Sequence, residues 1–454
     1  MTQGHLLRRL GLTSAVSITV GAVIGSGVFM KPLVVAQSLP SVAWIYAFWV
    51  VLGLVCLFGA FAYAELGAMF PEAGGQYAFL REGWGRGVAF LYGWTFFWVI
   101  NSGTVAALAI AFADNLLPLF GIDVAEARGA KIGLAVAMIA ALALVNHFGV
   151  LLGAIVQNVS TFAKVGALGL IAVGGMLVVG GGDAAAAAAP AQEAAATSLT
   201  IAGVAAAFTG IFWAYEGWYQ LPFNAAEMKR PERDLPLGLI VGIVILIAVY
   251  VLINAVYLHV VPFDEIRSIP RDGNDLEVAR RTVARAFSPE LAHYLTALVA
   301  VSVMGAANPN MLSSPRAFYA MGQDGLVPAA LTRVSPRWGT PVVSIWTQAV
   351  WSAALVATLE FFHDVTTFVV FAGFLFYALT VAAVYRLRRA RPDAARPYRC
   401  TGYPWTPALF IAVSVLFVVV LLMDPAERQN ALYGVGILAL GVPWYVVVHR
   451  RRGR

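Results

Sequence analysis

Two short stretches of this 454-residue chain carry the residue types for binding chemistry. The first is GAVIGSGVFM, residues 21–30, where three glycines and a serine fall between Gly21 and Gly27 inside a long apolar run. The second is IFWAYEGWYQLPF, residues 211–223, where Gly217 and Pro222 interrupt another such run beside the carboxylate of Glu216. Glycine and proline are the poorest helix formers, so each stretch predicts a broken helix. Breaking a helix inside a bilayer exposes N–H and C=O groups that lipid cannot satisfy; a ligand or other protein groups must. A half-helix beginning after Gly27 offers free N–H donors and the positive end of a helix dipole, which suit a carboxylate. A half-helix ending near Ala214–Glu216 offers carbonyls and the negative end, which suit an ammonium. Facing each other across a cavity, the two breaks would receive a zwitterion. Their offset of about 190 residues, from Gly27 to Gly217, puts them at corresponding places in two halves of the chain. The plain alternative for the first stretch is a packing face of small residues, because Gly21 and Gly25 are four apart.

Two charges fall deep in apolar runs. Glu216 lies about 15 residues into its run, some 22 Å at 1.5 Å per residue, so near mid-depth. A carboxylate there is costly and marks function. It holds a ligand's ammonium, selects a basic side chain, or pairs with a neighbour to keep the unwound turn in place. Lys164 lies about 13 residues into another run, too deep for its ammonium to snorkel out. It could bridge the first helix near Gly21 to the eighth at Ser313 or Ser314, or simply meet a neighbouring carbonyl. The six histidines are scattered without metal-ligand spacing, and no nucleotide-binding P-loop occurs. No cluster of His, Asp or Ser suggests a membrane enzyme, so neither a cofactor nor a metal is expected.

The elements that must position these residues are membrane spans. The chain is 60% hydrophobic and only 12% charged, about half the charge of a soluble protein. Twelve apolar runs are long enough to cross a bilayer. They lie near 12–37, 42–69, 84–117, 130–147, 151–180, 201–227, 235–261, 290–321, 340–359, 363–386, 405–423 and 430–449. An even number puts both termini on one side. With the termini in the cytoplasm, 19 of the 30 basic residues fall in cytoplasmic segments and eight outside, which is the usual bias. The net charge of +6 therefore reads as topology and not as nucleic-acid binding. The basic N-terminus, with Arg8 and Arg9, runs into the first span without a small-residue cleavage site. Only Cys56 and Cys400 occur, which excludes a disulfide framework. The expected division is a cytoplasmic N-terminus (1–11), a first five-helix repeat (12–180), a low-complexity extracellular loop (181–200), a second repeat (201–388), and two further helices with a basic cytoplasmic tail (389–454).

Four motifs carry a family resemblance. GAVIGSGVFMKP resembles the first-helix signature of the amino acid–polyamine–organocation (APC) superfamily. PEAGGQYAFLREGWGRGVAFLYGW (71–94) resembles its loop and third-helix signature. FWAYEGWYQLPFNAAEMKRPERDLP (212–236) and SSPRAFYAMGQDGLVP (313–328) resemble the L-amino-acid transporter branch. The resemblance implies an all-α, twelve-helix LeuT-type fold, a 5+5 inverted repeat plus two helices. It implies an Na⁺-independent amino-acid transporter of a prokaryotic cytoplasmic membrane, foremost an antiporter of neutral amino acids, with cationic ones as candidate further substrates. An H⁺-coupled symporter and a non-transporting sensor are the alternatives. It also implies that the backbone at Ile24, Gly25, Ser26 and Gly27 binds the substrate carboxylate, with Ser26 adding its hydroxyl. The carbonyls of Phe212, Trp213 and Tyr215 would face the amine, beside Glu216 and Gly217, and Trp213 would be an aromatic gate. Many relatives have a small residue where this chain has Glu216. TFAKVGALGL resembles the branch's fifth helix, where a lysine, here Lys164, replaces a sodium ion or carries a proton. Eukaryotic members attach to a glycoprotein through a cysteine between helices three and four. PLFGIDVAEARGA has none there, so no disulfide-linked heavy subunit is expected. Substrate and membrane lipid are the expected partners.

Overall fold

The computed structural model describes residues 8–72, 74–123, 126–179, 199–270, 276–358 and 362–452. Most of the expected extracellular loop, 181–198, lies outside them. Among the described residues the chain is helical, with a single isolated bridge between Leu10 and Met228. The helices fall into twelve spans in the expected order. Two are interrupted. The first is Leu12–Val23 and Gly27–Ser38, bent by 43° at Ile24–Ser26. The sixth is Ile201–Tyr215, then a turn at Glu216–Gly217 and a 3₁₀ stretch Trp218–Glu227. The second (Val42–Met69), fifth (Val150–Val179), seventh (Pro231–Val260) and eighth (Pro289–Gln323) are continuous helices. The third, Arg86–Phe120, is wound as a π-helix over Phe96–Asn101. The fourth (Arg128–His147), ninth (Val342–Thr358), tenth (Phe362–Ala390), eleventh (Trp405–Met423) and twelfth (Pro425–Arg452) complete the set.

The two interrupted spans run through the centre. Every residue from Ser17 to Phe29 and from Ala207 to Ala225 is buried. In lipid, tight packing and polar contacts hold helices together, because burying apolar surface gains little. That explains the small residues at the crossings. A Cβ on Gly21 would stand 2.0 Å from Thr161 Oγ1 of the fifth span, and one on Gly27 would stand 2.5 Å from Ala214 Cα of the sixth. Gly217 has φ +111°, in the left-handed region that glycine alone adopts freely, and a Cβ there would lie 2.9 Å from Ala22 O. Each break therefore presses its glycine onto the other interrupted span.

Connections at the two ends hold short helices that hydropathy did not reveal. Gln76–Trp84 precedes the third span; Phe263–Ser268 and Glu277–Ala286 lie between the seventh and eighth. In the latter loop Glu265 meets Arg281 and Arg285, each at 2.8 Å. Burial pushes this carboxyl up, but the two guanidiniums outweigh it and hold the group below its ordinary value. At the end bearing both termini, Glu227 and Arg316 form a buried two-pronged pair, both bonds 2.8 Å. The N–H groups of Arg9 and Leu10 donate to the Glu227 carbonyl. The 224–234 loop is thus tied down at Glu227 and not only a solvated connector. Removing one partner of a fully buried pair leaves an uncompensated charge worth roughly 3–5 kcal/mol. Glu227→Gln should lower the unfolding midpoint in detergent accordingly, and Glu227→Gln with Arg316→Met should recover much of the loss. Equal midpoints for the single variant and the parent would contradict the pair's role.

Candidate functional site

At the first break the helix has lost its own acceptors and donors, and the two kinds of group fare differently. The carbonyls are met by protein. Lys164 Nζ donates to Gly21 O (3.0 Å) and Ile24 O (2.6 Å), the orphan carbonyls at the end of the first half-helix, where a cation also suits the dipole. Ser302 Oγ donates to Gly25 O at 3.4 Å. The Tyr250 hydroxyl lies 2.8 Å from Ala214 O and 3.2 Å from Val23 O, joining the two breaks. The N–H groups are not met. Among the described residues no acceptor reaches the amides of Gly25, Ser26, Gly27 or Val28, while Phe29 and Met30 already donate to Ser26 O. Four converging donors at the start of a half-helix form an anion-binding concavity.

Gly25, Ser26 and Gly27 border a central cavity of about 20 Å³, together with Trp213, Glu216 and Gly217. Trp213 Nε1 donates to Ser26 Oγ at 3.3 Å and so spans the two breaks. The space admits about one water and is far below the ~300 Å³ of an ordinary ligand pocket. Side chains must move apart before an amino acid fits. Glu216 borders the cavity, but its Oε1 accepts the hydroxyls of Tyr219 (2.8 Å) and Tyr377 (2.7 Å). Its carboxylate therefore ties the unwound turn to the tenth span.

Other expected site residues stand elsewhere. Ile24 contributes its carbonyl to Lys164 and does not line the cavity. The Phe212 ring packs on Phe374 and Phe417 and the Tyr215 hydroxyl donates to Trp49 O, so their side chains serve the packing and only their carbonyls remain as candidates for the amine. The bridge from Lys164 to Ser313 or Ser314 is not formed. Lys164 meets the eighth span at Gly305, where a Cβ would stand 2.9 Å from its Cε. Ser313 is eight residues on, about 12 Å along the helix. Ser313 Oγ instead lies 3.5 Å from Gln220 O, and Ser314 Oγ has no partner among the described residues.

The sequence reading missed the neutral polar walls. Thr104 of the third span and Asn310 of the eighth line the cavity. Below it, Gln220 Nε2 donates to Asn101 Oδ1 (3.1 Å) and Asn310 Oδ1 (2.8 Å), and Asn101 Nδ2 donates to Asn310 O (3.1 Å). Buried amides in apolar spans were a usable signal, as they glue spans together. Asn101 also ends the π-helical turn, a local distortion frequent at functional sites.

A family model for amino acid permeases matches residues 10–447. The chain belongs to the amino acid permease family. Its resemblance to the APC superfamily and the LeuT-type, multi-span fold is therefore borne out, and the family comprises transporters, not enzymes. The human b(0,+)-type amino acid transporter 1 is 29% identical over 99% of this chain and 89% of its own length. The human large neutral amino acids transporter small subunit 2 is 29% identical over 97% of this chain and 80% of its own length. The serine/threonine exchanger SteT of Bacillus subtilis is 30% identical over 90% of both chains. A permease so built should lose binding when a break is filled. Gly27→Val drives a side chain into Ala214, so ligand-induced thermal stabilisation should vanish while the yield of inserted protein stays within about twofold. Retained stabilisation would show that the break is only a packing face.

Proposed function

We propose that this permease exchanges neutral L-amino acids across a cytoplasmic membrane by alternating access. One observation carries the reading: the N–H groups of Gly25, Ser26, Gly27 and Val28 have no acceptor among the described residues and the first three of these residues border the cavity, while the carbonyls of Gly21, Ile24 and Ala214 are already met. A substrate carboxylate supplies the missing acceptors. Its ammonium then lies toward the end of the other half-helix, at Trp213–Glu216. Trp213 serves as the gate, since its indole already reaches across to Ser26. The halves 12–180 and 201–388 rock about the fixed site. Opening on the side of the termini requires the Glu227–Arg316 pair and the Gln220 amide cluster to part.

Lys164 supports Na⁺-independence. Its ammonium occupies the carbonyls of Gly21 and Ile24, where a coupling cation would otherwise find oxygen ligands. Exchange is favoured over proton symport because relatives include a named exchanger. The basic bias supports a cytoplasmic position for both termini. Cys56 and Cys400 are both buried, which supports the reading that no disulfide links this chain to a second subunit.

Proteoliposomes test the reading. Labelled neutral L-amino acids should enter several times faster when unlabelled substrate is inside, equally in Na⁺ or K⁺ media and with or without a pH gradient. Binding without trans-stimulated flux would indicate a sensor, and a requirement for Na⁺ would overturn the role given to Lys164. Lys164→Ala should reduce flux at least about tenfold, because it strands two mid-membrane carbonyls. Glu216→Gln tests selectivity. Uptake of basic amino acids should fall about tenfold with neutral uptake retained. Unchanged uptake of both would leave Glu216 with its tyrosine contacts alone.

A further inference from the structure

Far from the central cavity, a groove of about 440 Å³ opens where the tenth span reaches the end bearing the termini. It is lined by Trp84, Ala382, Tyr385, Arg386, Arg389 and Ala390. Trp84 closes the short helix Gln76–Trp84, and its Nε1 donates to Leu379 O at 2.8 Å, which fixes the ring. The Arg386 guanidinium lies 5.1 Å from the centre of that ring. Arg389 follows one turn later, also exposed. Several other arginines nearby have carboxylate partners. Arg81 meets Asp324, Arg388 and Arg396 meet Glu65, and Arg391 meets Glu82. Among the described residues neither Arg386 nor Arg389 has a carboxylate partner. Two guanidiniums one turn apart, one held on an indole, present a fork for a phosphate.

The face continues into the apolar zone. Leu375, Leu379, Ala382, Arg386 and Arg389 are spaced by four, three, four and three residues, so they form one stripe of the tenth span. Leu375 is 38% exposed and the next two are partly exposed. From Leu375 to Arg389 the stripe covers about 21 Å, more than half of a ~30 Å hydrocarbon layer. A soluble anion would use the arginines and leave the stripe idle. An acidic protein segment would have to enter lipid to follow it. We propose that this groove is a specific site for an anionic phospholipid, with its phosphodiester on Arg386 and Arg389 and an acyl chain along Ala382, Leu379 and Leu375. Trp84 sets the depth of the headgroup, as interfacial tryptophans do. Basic pockets between spans on the cytoplasmic side suit such headgroups. The bound lipid would join the third-span connection to the tenth span at the point where Gly83 packs on Ala383.

The test uses the full chain purified in a neutral detergent and titrated with phosphatidylglycerol, phosphatidylcholine or inorganic phosphate, read by native mass spectrometry and by melting temperature. Phosphatidylglycerol should bind and stabilise at concentrations at least about tenfold below phosphatidylcholine. Arg386→Gln with Arg389→Gln should erase that difference. Both side chains are exposed, so the variant keeps its fold. Arg333→Gln with Arg337→Gln removes the same charge from another loop at the same end, where Arg337 also lies over a tryptophan at 4.7 Å, and should keep the preference. Equal loss in both double variants would reduce the effect to diffuse basic attraction and overturn the site. Equal stabilisation by inorganic phosphate would show an anion site without lipid, and would overturn it too.

Discussion

A backbone unwound in the middle of a bilayer has no water to turn to, and every N–H and C=O it releases needs a partner. The first and sixth spans of this permease release such groups at the same depth. Protein groups meet the carbonyls: an ammonium at Gly21 and Ile24, a serine hydroxyl at Gly25, a tyrosine hydroxyl between Val23 and Ala214. The amides of Gly25 through Val28 are left over. Unmet N–H groups at the start of a half-helix suit an anionic group, and that asymmetry is the basis of the proposed carboxylate site.

The same constraint sets the packing. Lys164 reaches the first span only because Gly305 leaves room for its stem and Gly21 lets the fifth span approach. The two breaks can share Tyr250 only because Gly27 lies on Ala214 and Gly217 on Ala22. Small residues are thus required where polar partners must come close, which is the general logic of helix association in lipid. Toward the termini, polarity increases in layers: the amides of Gln220, Asn101 and Asn310, then the Glu227–Arg316 pair, then the exposed arginines. Each layer is a contact between spans that rocking must break or carry along.

Glu216 shows how one residue serves both tasks. Its carboxyl borders the cavity, yet two tyrosine hydroxyls converge on one of its oxygens. A site residue that also holds the unwound turn couples binding to the position of the tenth span, which ends at the basic groove around Trp84. Through the tenth span, Glu216 is linked to the arginines beside Trp84.

The membrane class, the twelve spans and both breaks were legible in the sequence. So were the buried positions of Lys164 and Glu216, because each depends on residue type and on distance along one chain. Hydropathy marks spans, glycine and proline mark breaks, and a lone charge in an apolar run marks itself. Which groups meet across spans was not legible. Lys164 bonds to Gly21 and Ile24 and not to Ser313 or Ser314, since a helix face chooses its neighbour by crossing angle and by where a glycine allows contact. Thr104, Asn310, Asn101 and Gln220 are polar residues in apolar runs, which marks them as contacts between spans, but which of them meet beside one cavity was set only by packing. Local sequence can require that a broken helix find partners. Only the tertiary structure decides which atoms those partners are, because hydrogen bonding acts over about 3 Å and the partners come from different spans, from 36 residues apart for Tyr250 and Ala214 to 277 for Ser302 and Gly25.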